Sequence, residues 1–275
     1  MNKLILALLG AGLTAAVAAH ASPEQDRQQL VEHYQHKFPE IPLADYVYGA
    51  LALDKGAREQ YDGIMDFPPF ENVIEQGRRM WEKPFTNGRT FAGCFPNGGR
   101  NVAGNYPYFD DRLGKVVTFE MALNQCLKDN GEPELKYGDM SRMGVLTAYA
   151  RTLSDGMKMN VRVEGPAATA AYEAGKRFFY QRRGQLNFSC AICHVDNAGN
   201  RIRSELLSPA VGHTTHWPVF RGGETLLTLQ MRYRGCLSQV RAAPFEAGSE
   251  EFNNLEYFHS YLSNGLPLKA SVFRK

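Results

Sequence analysis

The sequence predicts a mainly α-helical protein built from two tandem domains. Three observations carry this expectation. The length of 275 residues exceeds the roughly 100–200 residues of a single domain. Three stretches recur in the same order along the chain. Each recurring unit also opens and closes on a segment that reads as a helix.

The recurrence is specific. Thr118-Phe-Glu-Met-Ala-Leu-Asn-Gln-Cys126-Leu127 aligns without a gap on Thr228-Leu-Gln-Met-Arg-Tyr-Arg-Gly-Cys236-Leu237, at an offset of 110. Thr, Met, Cys and Leu coincide. Tyr149-Ala-Arg-Thr-Leu153-Ser154-Asp-Gly156 aligns on Phe258-His-Ser-Tyr-Leu262-Ser263-Asn-Gly265, at an offset of 109. Glu75-Gln-Gly77-Arg-Arg-Met-Trp81 resembles Glu173-Ala-Gly175-Lys-Arg-Phe-Phe179, at an offset of 98. A helix with Gly followed by aromatics starts each unit, and a helix ending in Leu-Ser-x-Gly finishes it. The final Gly suits a helix C-cap. Gly165-Pro166 breaks the chain before a helix expected at Ala167–Gln181, so the boundary is expected near Asn160 to Pro166. The expected divisions are a targeting segment at 1–21, a helical extension at 22–62, a first domain at 63–160 and a second at 161–275. Ser22-Pro23-Glu24 reads as the start of an N-terminal helix. The stretch from there through Phe70 reads as Pro-rich and irregular.

Hydrophobic residues make up 44% and charged residues 22%, ordinary values for a globular protein with a sizeable core. The net charge of +2 is too small to imply nucleic acid or a membrane surface. Its distribution says more. Ten Lys or Arg and three acids lie between Lys176 and Arg241, an excess of seven positive charges. That is either a solvated basic face or a field that draws in small anions or an acidic partner. At the start, Lys3 precedes an apolar, small-residue run, and Ala19-His20-Ala21 fits a cleavage site. Export to the periplasm with cleavage after Ala21 is expected. No later stretch reaches about 18 apolar residues, so no membrane insertion is expected.

The chemistry lies in Cys190-Ala-Ile-Cys193-His194. The two-residue gap puts both sulfurs in reach of the two vinyl groups of a haem, and the following His presents its ring to the iron. The rival reading is half of a zinc site, but zinc needs a second ligand pair and the chain has no other C-x-x-C. One covalent haem c is therefore expected. With a helix before the motif and another at the end, the second domain reads as a small cytochrome c. The fold class expected is thus mainly α, with two tandem cytochrome c-like domains, the first without haem. In the first domain, Phe91-Ala-Gly-Cys94-Phe95 stands where a haem motif would be, with neither a second Cys nor a His.

Five cysteines are present, and disulfides are allowed in an oxidising compartment. Cys94 and Cys126, left in the haemless domain, can close one. Cys236 is then unpaired, 42 residues after His194. It suits the sixth ligand of the iron. Met231, His213, His216 and His259 are alternatives. Met231 or a His in that place would make the chain a plain periplasmic electron-transfer cytochrome.

Arg232 to Phe245, RYRGCLSQVRAAPF, resembles the active-site segment of the SoxA family. These proteins are the catalytic subunits of SoxAX cytochromes in thiosulfate oxidation. The resemblance covers nearly the whole chain: CxxCH in a second cytochrome domain and R-x-R-G-C downstream. Many members carry a second haem in the first domain. FAGCF departs from that pattern and resembles the single-haem branch with a disulfide. The resemblance implies an L-cysteine S-thiosulfotransferase, a haem-dependent enzyme that couples thiosulfate to a cysteine of the carrier SoxYZ. The small cytochrome SoxX would be its heterodimer partner. It implies haem ligation by Cys190, Cys193, His194 and Cys236, with Cys236 also catalytic and found as a persulfide in the family. Arg232 would bind substrate. The residues agree with this, because a thiol beside cations is reactive and a guanidinium binds a small dianion well. The haemless copy has Ala122 and Asn124 in place of Arg232 and Arg234. For either arginine the competing role is a structural salt bridge. Arg241 and Gln239 are further candidates to line the cleft.

Overall fold

The computed structural model describes residues 21–221, 225–270, 273 and 274. The expected targeting segment, Ala21 apart, lies outside the described residues. Helix α1, Pro23–Lys37, starts as expected at Ser22. The Ser22 side chain accepts from the Gln25 amide and the Gln25 side chain reaches back to the Ser22 amide, a reciprocal cap. Asp26, Leu30 and Tyr34 fall on one face at four-residue spacing and are buried. Asp26 meets Lys176 at 2.6 Å.

The stretch up to Phe70 is not irregular. It holds a 3-10 segment, Leu43–Ala52, and helix α2, Lys55–Met65. The prolines that suggested a loop, at 39, 42, 68 and 69, all lie outside α2. Asp54 caps α2 by accepting from the Ala57 amide at 3.0 Å. Tyr61 is buried in a small apolar cluster with Phe70, Val145 and Phe220.

Two sets of elements follow in the same order. The first has α3 (Glu71–Glu82), a hairpin of β1 (Tyr108–Asp110) and β2 (Lys115–Val117), α4 (Phe119–Asp129) and α5 (Val145–Thr152). The second starts with α6 (Gly165–Tyr180), two residues earlier than expected because Pro166 is tolerated in a first helical turn. A small hairpin of β3 (Arg201–Ile202) and β4 (Glu205–Leu206) is additional. Then come the hairpin of β5 (Val219–Arg221) and β6 (Thr225–Leu227), α7 (Leu229–Gln239) and α8 (Glu250–Tyr261). β7 (Phe273–Arg274) runs parallel to β5.

The recurring residues do equivalent work in each set. α3 packs on α5, and α6 on α8. Gly77 permits the first crossing, since a Cβ there would stand 2.6 Å from the Tyr149 Cβ. Gly175 permits the second, where a Cβ would stand 2.9 Å from the Phe258 Cβ. Thr118 and Thr228 hold the N-cap positions of α4 and α7, though only the Thr118 side chain accepts a capping bond, from the Met121 amide at 3.3 Å. Ser154 Oγ accepts from the Val102 and Ala103 amides, both at 3.1 Å, and Ser263 Oγ accepts from the Gly212 amide at 3.1 Å. Gly156 and Gly265 take the left-handed conformation expected of them, with φ of 77° and 83°.

The interiors of the two sets differ. In the first, Trp81 stacks on Phe91 and on Phe95, each at 5.5 Å between ring centroids, and Phe119 adjoins Phe95 at 5.9 Å. Cys94 and Cys126 are joined in a disulfide with Cα atoms 5.8 Å apart. In the second, the equivalent elements surround a cavity. One continuous core runs from Leu30 to Leu268 through both sets. Polar groups sit at the seam. Arg151 Nη2 donates to the Thr214 carbonyl at 3.3 Å. Glu256 lies close by, accepting from Gln230 Nε2 at 2.9 Å, and burial pushes its carboxyl up to about 8.

Candidate functional site

Cys190, Cys193 and His194 lie on one continuous helical turn that ends at Asp196. Spacings of three and four put all three side chains on the same face. Ser189 starts the turn, its Oγ accepting from the Ile192 amide at 3.2 Å. The three side chains line a cavity of about 980 Å³, at the upper end of the size range of small-molecule sites. His194 Nδ1 lies 2.8 Å from the Ser208 carbonyl. A carbonyl has no proton to give, so Nδ1 is the donor and Nε2 is left with a free lone pair. Burial pushes the His194 pKa down to about 4, so the ring is neutral at ordinary pH. Burial also pushes the Cys190 thiol up to about 12, with the nearby Cys236 a further cause, and raises Cys193.

α7 supplies the opposite wall. Its Cys236 and Arg232, four residues apart on one helical face, both line the cavity. The register explains the contrast with the first set. Cys126, at the equivalent place on α4, is buried and consumed by Cys94, whereas Cys236 is a free cysteine. The two flanking arginines part ways. Arg234 pairs with Glu246 at 2.6 Å and donates to the Phe245 carbonyl at 3.2 Å. Arg232 makes no ion pair among the described residues. Arg241 does not line the cavity, and Gln239 does.

The other candidates for an iron ligand separate in the same way. Met231 is not in the cavity wall. Its sulfur would stand 3.8 Å from a Cβ at Gly138 in the first set. His213, His216 and His259 are in the wall. His216 Nδ1 donates to the Val47 carbonyl at 2.9 Å, and His259 Nδ1 is 2.9 Å from the Tyr233 hydroxyl.

The basic excess of this region is partly neutralised. Arg201 pairs with Asp54 at 2.9 Å and Arg221 with Glu205 at 2.7 Å. Arg183 is a wall residue that sequence patterning did not single out. Its guanidinium lies 3.8 Å from the Phe178 ring centroid and Nη2 donates to Gln181 at 3.0 Å. Nothing periodic marks it; only its place in the basic run could have.

The chain is 44% identical to the L-cysteine S-thiosulfotransferase subunit SoxA of Chlorobaculum tepidum, over 96% of this chain and 94% of that protein. It is 43% identical to the SoxA subunit of Allochromatium vinosum, over 98% and 96%. The chain belongs to the SoxA family. A family model described as SoxA/TsdA, cytochrome c domain, matches residues 76–159. This SoxA sequence therefore matches it in the stretch that lacks CxxCH. The crystal structure of SoxXA from P. pantotrophus is similar to this SoxA chain, with a TM-score of 0.71 and 30% identity. It covers 79% of this chain and 84% of that one.

A cytochrome c domain implies haem c, and the donor set fits that group. Two thiols and a neutral imidazole share one face of a helical turn, on a cavity with an apolar lining that includes Leu207, Trp217 and Leu237. Among the described residues no three His, Cys, Asp or Glu side chains are grouped to hold a metal ion by themselves. A flat macrocycle carrying its own metal needs only an axial donor on each side. Among the described residues no helix is long and apolar enough to cross a membrane.

Proposed function

We propose that this SoxA chain carries one covalent haem c and couples thiosulfate to a cysteine of a SoxYZ-type carrier, giving a cysteine S-thiosulfonate. It would be an L-cysteine S-thiosulfotransferase acting as a heterodimer with SoxX in the periplasm, after cleavage behind Ala21. Residues 22–62 form the helical extension, 63–160 a haemless cytochrome c-like domain and 161–275 the haem domain. Packed rings and the Cys94–Cys126 bridge stand in the first domain where the second has its cavity, which supports a single haem.

One observation carries the reading. Cys236 and an unpaired Arg232 share a helical face in the wall of the same cavity as Cys190, Cys193 and His194. The sulfurs of Cys190 and Cys193 would be the thioether anchors. His194, its Nδ1 proton held by the Ser208 carbonyl, would hold the group through Nε2. Cys236 would hold it from the opposite wall and place a thiolate beside the sulfur that is coupled. Arg232 holds the sulfonate end of the anion, because a guanidinium without an acid partner retains its full donor set. Coupling joins the sulfane sulfur of thiosulfate to the carrier thiolate and releases two electrons, and total charge is conserved. A bound haem would supply a one-electron acceptor, so the two electrons would leave singly. Met231 lies beside Gly138 and is not in the cavity wall, which counts against a plain electron carrier with that ligand.

The test uses the purified heterodimer. Its mass should show one haem adduct per chain. Cys236→Ala should then abolish thiosulfonate formation on the carrier and change the low-spin spectrum. Wild-type turnover in that variant, or two haem adducts, would overturn the reading.

A further inference from the structure

α1 belongs to neither repeated set, yet its last turn lies along the stretch that begins with His194. Tyr34 is 1% exposed. Its hydroxyl donates to the His194 carbonyl at 2.5 Å and accepts from the Ala210 amide at 3.0 Å. The same amide also donates to the His194 carbonyl at 3.1 Å. Lys37 Nζ donates to the Asp196 carbonyl at 2.8 Å and the Val195 carbonyl at 3.3 Å. Phe38 closes over Gly199, where a Cβ would stand 2.8 Å from its ring. Ser208, two residues before Ala210, is the acceptor for His194 Nδ1. The Tyr34 hydroxyl thus sits where the His194 backbone meets the loop that orients the His194 ring.

We infer that Tyr34 is a positioning residue for His194, so that the N-terminal helix sets the strength of the iron's proximal donor. This rests on the reading of His194 as an axial ligand. Tyr34→Phe removes the hydroxyl but leaves the His194 carbonyl and the Ala210 amide bonded to each other, so the local fold has a way to persist. What loosens is the spacing between His194 and the 208–210 loop, and with it the Nδ1–H bond to Ser208. An imidazole with a weaker bond at Nδ1 is a poorer electron donor at Nε2. Ferric iron then loses more stabilisation than ferrous iron, and the potential rises.

The experiment is a redox titration of the intact heterodimer. Tyr34→Phe should shift the ratio of oxidised to reduced haem at least about threefold toward reduced, equivalent to roughly 30 mV upward for a one-electron couple. Tyr46→Phe is the control. Tyr46 is fully buried and its hydroxyl donates to the Tyr34 carbonyl at 3.3 Å, so it removes a buried hydroxyl near α1 without touching His194. Its potential should stay at the wild-type value. If Tyr34→Phe does not fold, 3-fluorotyrosine at position 34 keeps the ring and strengthens the donor, and should move the potential downward. An unchanged potential with either replacement of Tyr34, or equal shifts in the Tyr34 and Tyr46 variants, would overturn the inference. A wild-type protein without an axial imidazole signature in its resonance spectrum would instead fail the reading of His194.

Discussion

Arg232 and Arg234 flank the same cysteine, and their surroundings predict opposite phenotypes. Arg234 spends its charge on Glu246, whose side chain is 84% exposed. An ion pair so open to solvent contributes about 0.2–1 kcal/mol. Arg234→Gln should therefore lower stability slightly and leave turnover close to wild type. Arg232 has no ion pair to lose among the described residues and lines the cavity. Arg232→Gln should leave the unfolding midpoint and haem spectrum nearly unchanged. In the proposed role it would remove a hydrogen bond to a charged group, worth about 1.5–3 kcal/mol. If that contact acts in the transition state, the rate falls roughly 10- to 150-fold. The assay is formation of thiosulfonate on the carrier, followed by mass at several thiosulfate concentrations. Denaturant unfolding of each variant is read alongside it. Equal activity losses in the two variants would refute the reasoning, and so would full activity in Arg232→Gln.

Two further outcomes follow from the packing. Replacing both Cys94 and Cys126 by Ala opens a loop spanning a sequence separation of 32, which the chain-entropy relation values at about 3.7 kcal/mol. The midpoint in denaturant without reductant should fall accordingly while the haem spectrum stays intact; an unchanged midpoint would refute the bond's contribution. Burial, with the Glu120 carboxylate adding to it, pushes the Glu256 carboxyl from 4.5 up to about 8, so the native state holds an extra proton between those values. Its stabilising contribution, fully present below about 4.5, is lost as pH rises through about 8. Glu256→Gln carries no such proton, so its midpoint should gain on wild type between pH 5 and pH 8, and a constant gap would count against the assignment.

What could be read from the sequence was whatever chemistry or close packing forces into a short span. CAICH was legible because the two thioether anchors and the axial ligand that it would supply have to share one turn. Gly77 and Gly175 stood out because a helix crossing tolerates no side chain there. Leu-Ser-x-Gly was legible as a helix end, but the use of Ser154 and Ser263 to anchor distant loop amides was not. α2 was missed because the surrounding prolines resembled a loop, and its burying partners, Val145 and Phe220, are far away in the chain. Arg234 and Arg232 could not be told apart until Glu246 was placed beside one of them. Tyr34 left no trace at all, since a single hydroxyl that serves a segment 160 residues away has no periodicity.

That separation bears on how the molecule is assembled. α1 has polar partners at Lys176, His194 and Ala210, 150 to 176 residues after the residues they meet. A chain emerging from its amino end cannot finish the wall behind His194 until most of its length is available. Such distant closures raise contact order and slow folding. α1 is therefore a late-closing latch, and a chain that stopped before His194 would leave the Tyr34 hydroxyl without the two partners that hold it.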